Sequence, residues 1–287
     1  MRKISKILAM ALLTLLFVGG AQAALLTGWN IDLSGYSGAT YTDIRNITFT
    51  GSSATNQQLT TESVVPEAFT LTNGDTFSES TILQQISFTN PDGIVSPISN
   101  LYFYGSNLDG YVTNVDNNGG SPSPADWSFD YVFTSFDLLG MFYYDGAVSV
   151  LDPAGFNVAG SVQLADFSLL PGTVGNSPEG FVGGGSQRSG STDIFVLFES
   201  VLPGVFTDPY GNDFDDLLDI GVTGYFELTN WITEDDVSYE LGDSEFDALI
   251  SHSGDFQVSI VPEPNTALLL GAGLLGLGAL ARRREKN

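Results

Sequence analysis

Nearly all the groups in this sequence that could do chemistry are oxygens. All but two of its 34 acidic residues, Glu263 and Glu285, fall between positions 24 and 260, yet only Arg45 and Arg188 of its nine basic residues do. There is no cysteine, and the single histidine is His252. Thiol nucleophiles, thiolate metal ligands and histidine-rich metal sites are therefore excluded. The lysines, Lys3, Lys6 and Lys286, all lie outside that region, so a Schiff-base lysine is excluded from it too.

Carboxylates serve two chemistries. Calcium takes oxygen ligands at alternating loop positions. Asn114, Asp116 and Asn118, followed by Gly119, have that spacing. The closing position falls on Ala125 rather than a glutamate, with Asp126 one residue further on. Asp213 and Asp215, in the acidic turn 208–216, are the other candidate calcium ligands. Glycoside hydrolysis needs two carboxyl groups a few ångströms apart. Asp213, Asp215, Asp216 and Asp219, or Glu234, Asp235 and Asp236, offer pairs, but so acidic a chain makes pairs unavoidable. Tyr102, Tyr104, Tyr143 and Tyr144 are candidates for stacking on sugar rings, although strand alternation tends to divide such residues between core and surface. A Ser-His-Asp arrangement would rest on His252 alone. Within Ser251-His252-Ser253-Gly254 it reads as an exposed loop residue beside a turn.

The region 24–260 carries a net charge of about −30, which repels nucleic acid and anionic lipid headgroups. Few of its carboxylates can find a cationic side chain, so cations or solvent must balance them. Its length allows a sizeable core without disulfides, and its aromatic content argues against disorder.

The elements that must position these groups read as strands. Alternation runs through Tyr41–Phe49, Ile82–Thr89 and Trp127–Phe133. Asn90-Pro91-Asp92-Gly93 is a turn signal. Met141–Tyr144 and Ala147–Leu151 flank Asp145-Gly146 as a hairpin. Further strands are expected over Val158–Leu170, Asp193–Glu199, Gly221–Leu228 and Asp255–Ile260. Loops are expected over Asn117–Pro124 and Pro171–Gly190, with short helical pieces at Phe214–Leu218 and Ser244–Leu249. Many short strands with frequent turns predict an all-β fold, a β-sandwich or jelly-roll-like body over 24–260. Two smaller β units joined near 183–190 are the alternative.

The ends speak of export. Arg2, Lys3 and Lys6 precede the apolar run Ile7–Val18, and Ala21-Gln22-Ala23 follows. This is the three-part pattern of a signal peptide over 1–23, cut after Ala23 by signal peptidase once the Sec machinery has engaged it. At the other end Thr266–Ala281 is free of charge. As a helix it would be about 24 Å long, short of the roughly 30 Å apolar core of a bilayer. Arg282, Arg283 and Arg284 follow directly. Their stems can extend a short span, and their charge would hold the tail on the cytoplasmic side. Gly271-Ala272-Gly273-Leu274-Leu275-Gly276 fits a dinucleotide fingerprint in letters only, because the chain ends before the acidic partner such a site needs.

Pro262-Glu263-Pro264, the Leu/Gly-rich span and the arginine cluster together resemble the PEP-CTERM sorting signal of exported bacterial proteins, here over 261–287. The resemblance implies recognition by an exosortase, transient anchoring through the C-terminal transmembrane helix, and removal of the tail near the Pro-Glu-Pro block. It also implies a place at the cell surface or in the extracellular matrix of bacteria that make exopolysaccharide or biofilm. The expected role is structural or adhesive, with exopolysaccharide and calcium as expected ligands. The alternative is a secreted, carboxylate-dependent glycan-active enzyme.

Overall fold

The computed structural model describes residues 24–260, apart from 37, 60–70, 96–97, 99, 117–127, 171–172, 180–186, 234–236 and 239–244. The signal peptide with Ala21 and Ala23, the sorting residues Pro262, Glu263, Pro264, Arg282, Arg283 and Arg284, and Asn118 lie outside the described residues.

The all-β expectation holds. The strands are β1 Ala24–Leu25, β2 Trp29–Asp32, β3 Thr40–Ile44, β4 Asn46–Gln58, β5 Thr76–Asn90, β6 Gly93–Val95, β7 Leu101–Asp116 and β8 Ser128–Ser135. They continue as β9 Leu138–Tyr143, β10 Val162–Leu169, β11 Val174–Glu179, β12 Gln187–Val201, β13 Phe206–Thr207, β14 Val222–Thr233, β15 Val237–Ser238 and β16 Glu245–Ile260. Among the described residues one short α-helix, α1, spans Phe214–Leu217, with Asp213 as its N-cap.

The main sheet closes on itself. β4 pairs with β5 and β5 with β7. The first half of β7 pairs with β9 and the second half with β8. β10 continues from β9, β11 continues from β8, and both rejoin β12. β12 then pairs with β14, β14 with β16, and β16 with β4. The courses β4, β5, β7, β8/β9, β10/β11, β12, β14 and β16 thus follow one another in chain order, each antiparallel to its neighbours. This is an up-and-down barrel, which removes the exposed edges an open sheet would present. The expected pair of facing sheets gives way to this single closed one.

Closure needs curvature, and bulges supply it. Register shifts interrupt the pairing of β7 with β5 and with β8. Asn107 and Asn114 in β7 adopt positive φ, 49° and 51°, a region asparagine tolerates better than most residues.

Alternation fills the barrel. Phe103 and Phe226, and Phe226 and Phe256, lie with ring centroids 4.3 Å apart, and Phe167 meets Phe198 at 4.7 Å. The small sheet β13-β2-β3 and α1 close one end: the buried Trp29 packs on Phe206 at 6.3 Å, Phe214 at 6.2 Å and Phe256 at 6.5 Å. Outside the barrel wall a second apolar cluster gathers Ile82, Tyr102, Tyr104 and Phe142 around Phe156.

Several local expectations are corrected. Residues 147–151 form no hairpin with β9. The segment instead crosses the outside of the barrel, where Val150 offers its carbonyl to the Ser52 hydroxyl and Phe156 caps the tyrosines. The stretch 171–190, expected as loop, contributes β11 and the start of β12. Residues 245–249, expected as helical, begin β16, whose partner β4 supplies a ladder that overrides local helix preference.

Candidate functional site

His252 is the largest departure from the sequence reading. It is not a loop residue. It sits inside β16 and is only 3% exposed. Its strand phase is that of Phe256 and Val258, which point into the core. Inward-phase positions of the neighbouring strands surround it with polar groups rather than rings. β4 supplies Ser53 and Thr55, and β5 supplies Thr81 and Glu79 directly opposite them. β14 supplies Asn230 directly opposite His252. Thr192 comes from β12 and Tyr131 from β8.

These side chains form one continuous network. His252 Nε2 meets the Ser53 hydroxyl, and His252 Nδ1 meets Asn230 Oδ1 at 2.7 Å. Ser53 also lies 2.7 Å from Glu79 Oε1 and 2.6 Å from the Thr81 hydroxyl. Thr81 donates to Glu79 Oε1 at 2.6 Å and Thr55 to Oε2 at 3.3 Å. On the far side, the Asn230 amide donates to the Tyr131 hydroxyl at 2.8 Å and to Thr192 at 2.5 Å. Burial lowers the proton affinity of His252, and the Glu79 carboxylate pushes the other way. Burial, reinforced by Glu79, pushes the Tyr131 phenol far up, so it stays a neutral hydroxyl.

A serine hydroxyl on an imidazole that is oriented by an amide is the order of groups in nucleophilic hydrolases. Here Ser53 is fully buried and its oxygen already touches Glu79 and Thr81. Gln57, Phe77 and Ala248, further along the same strands, are buried as well. In this conformation Ser53 has no exposed surface and its hydroxyl is enclosed by His252, Glu79 and Thr81.

Of the calcium candidates, Asp213 is engaged by backbone amides and Asn114 through its side-chain nitrogen. Asn114 and Asp116 belong to β7 rather than to a loop, and the Asn114 amide donates to Asp130 at 2.6 Å. Asp213 caps α1, accepting from the Asp215 amide at 3.1 Å and from the Gly204 amide. Asp215 itself is exposed in the first turn of α1. Asp208 is buried and accepts from the backbone amides of Tyr210 and Asn212, both at 2.8 Å. Among the described residues no three acidic or histidine side chains gather as a metal site.

The tyrosine candidates divide differently from the expectation. Tyr102 and Tyr104 are buried under Phe156, Tyr143 packs on Tyr36 at 5.8 Å, and Tyr144 is partly exposed. The aromatic pair that does reach the outer wall is Phe195 and Tyr225, stacked at 4.8 Å, with the Tyr225 hydroxyl on Asp193 at 2.6 Å.

Sequence reasoning overlooked Ser53, Glu79, Thr81, Thr192 and Asn230. A signal was present: tracing the alternation back from Phe256 puts His252 inside, and tracing it forward from Phe49 puts Ser53 and Thr55 inside.

Residues 261–284 match the model of the PEP-CTERM protein-sorting motif. No curated protein and no solved structure matches the chain. Among the described residues no helix is long and apolar enough to cross a membrane.

Proposed function

We propose that this is an exported protein sorted by an exosortase, and that its barrel is a structural or adhesive module of the cell surface or extracellular matrix. One observation carries the reading. The matched sorting motif begins at 261, immediately after β16 ends at Ile260. Every described strand of the barrel lies before the motif, so losing the tail removes none of them. Anchoring before the cut falls to the uncharged span Thr266–Ala281 and its arginines.

The barrel suits a passive role outside the cell. A closed sheet lacks the long edge that would template aggregation, and a strongly negative surface keeps the module soluble. We assign contact with neutral matrix polysaccharide to the outer wall around Phe195 and Tyr225, where rings for stacking stand beside the Asp193 carboxylate. Calcium would enter as a loosely held counterion of this acidic surface.

The test is mass spectrometry of the protein released by its native host. The expected mature chain starts at Ala24 and lacks the tail, and replacing Pro262-Glu263-Pro264 by alanines keeps the tail on. Recovery of an intact 282–287 end from the fully processed wild type would overturn the sorting reading.

A further inference from the structure

We propose that Glu79 and His252 hold a single proton between them through Ser53, and that this proton is a pH-sensitive lock on the barrel. The hydrogen count leads there. Asn230 turns its carbonyl oxygen to His252 Nδ1, because its amide nitrogen is engaged by Tyr131 and Thr192. An acceptor facing Nδ1 fixes a hydrogen on that nitrogen. Nε2 is then either bare or protonated, and it faces Ser53, which has one hydrogen to give.

If Nε2 is bare, it takes the serine hydrogen. The serine oxygen then faces Glu79 Oε1 at 2.7 Å with lone pairs only, and the contact is attractive only when the carboxyl carries a hydrogen. If Nε2 is protonated, it donates to Ser53, and Ser53 donates to an ionised Glu79. These two arrangements hold the same number of protons. They interconvert when two hydrogens shift along Nε2, Oγ and Oε1, with no atom or charge gained or lost. One proton fewer leaves a buried carboxylate held only by the Thr81 and Thr55 hydroxyls, with no cation beside it and the Ser53 lone pairs against Oε1. One proton more leaves a buried imidazolium without a counter-charge. Both are costly away from water.

Among the described residues, the titratable groups bearing on His252 are Glu79 from β5 and, beyond Asn230, Tyr131 from β8. Tyr131 stays neutral, and the Asp193 carboxylate on β12 accepts from Tyr225 on the outer wall.

The sign of the pH dependence follows. In the unfolded chain the imidazole loses its proton near pH 6.5 and the carboxyl near 4.3. Between those values the unfolded pair also holds one proton, so folding neither takes up nor releases one. Above about pH 6.5 the unfolded pair holds none while the folded pair keeps one, and stability falls as pH rises. Below about pH 4.3 the unfolded pair holds two, and stability falls again. A neutral His252 beside an ionised Glu79 gives the opposite picture: stability rises with pH up to about 6.5 and is flat above it. The upper window is clean because residues 24–260 contain no cysteine or lysine and this one histidine.

The test uses the exported protein labelled with 15N-histidine, whose single imidazole gives one spectrum. We expect Nδ1 to be protonated at every pH where the barrel is folded. We expect the folding equilibrium constant from urea titrations to fall between pH 6.5 and 8.5, approaching tenfold per pH unit for one proton. Glu79→Gln should remove that slope, and any terminal amine contributes equally to both proteins and cancels. A bare Nδ1, or an equal slope in Glu79→Gln, overturns the proposal. If Glu79→Gln does not fold, the wild-type spectrum and its slope above pH 6.5 decide alone. None of these outcomes depends on whether the tail is cut, so this test and the sorting test fail independently.

Discussion

Ala24 stands opposite Ile260. Strand β1 pairs antiparallel with the last two residues of β16, and on the other flank of β16 Ile260 faces Val222 of β14. The final residue before the sorting motif is therefore held on both sides. The first residue expected after signal-peptide removal is one of the two holding it. The expected signal-peptide cut and the start of the matched sorting motif therefore lie side by side at one end of the barrel.

Truncation should locate the edge of the folded unit. A chain ending at Ile260 keeps every barrel strand, whereas one ending at Asp255 loses Phe256 and Val258, both wholly buried. Deleting a buried phenylalanine side chain alone typically costs about 3–5 kcal/mol. The longer chain is expected to melt cooperatively by circular dichroism and the shorter one not to fold. A cooperative transition in the shorter chain would show that β16 is dispensable to closure.

Asp208 should leave an acid signature. Burial by itself would raise its proton affinity. The amide of the Asn212 side chain, at 2.7 Å, and the backbone amides of Asn212, Tyr210 and Gly211 outweigh burial and hold the carboxyl below its ordinary range. A depressed carboxyl contributes stability that is present above about pH 4 and is lost as pH falls through the folded value. Asp208→Asn is expected to lose about 1–2 kcal/mol at neutral pH and to show a smaller further loss on acidification. Parallel acid-unfolding curves for the two proteins would remove Asp208 from the account.

Strand identity was legible in the sequence where alternation was strict, as at Phe129, Tyr131 and Phe133 in β8. The turn at Asn90–Gly93 was legible from its residues: the Asn90 side chain accepts from the Asp92 amide at 2.9 Å, and Gly93 takes φ 124°. Closure was not legible, because pairing partners are set by long-range register, which local pattern does not encode. The polar network was hidden for a related reason. Ser53, Glu79 and His252 look like surface residues one at a time, and only the ring of neighbouring strands brings them together inside. Asn114 shows the opposite limit: its spacing reads as a loop, while it lies in β7 with positive φ.

Calcium should act on this protein only as a counterion. The oxygens of Asp208 and Asp213 are already engaged by amide donors, and engaged oxygens make poor ligands. Millimolar calcium and sodium chloride of matched ionic strength are expected to shift the melting temperature alike through screening. A clearly larger shift with calcium, abolished by Asp213→Asn with Asp215→Asn, would establish a specific site and reverse this expectation.

Gln85 is where sequence and fold disagree most openly. It shares the phase of Leu83 on β5 and faces Phe49 of β4 beside a bulge at Ile86 of β5, so it is buried while Ile86 is 42% exposed. Neither its amide nitrogen nor its amide oxygen has a hydrogen-bond partner. Leaving such a group unsatisfied costs about 1–3 kcal/mol, and an apolar side chain of the same length avoids that cost. Gln85→Met is therefore expected to raise stability by about that amount in urea titrations, with an unchanged denaturant slope. The paired change Ile86→Thr, on the exposed side, should be close to neutral because it removes little buried surface. A destabilised Gln85→Met would mean that the amide does something in the folded barrel that its present contacts do not reveal, and the barrel interior near the bulge would then be the place to look for a ligand.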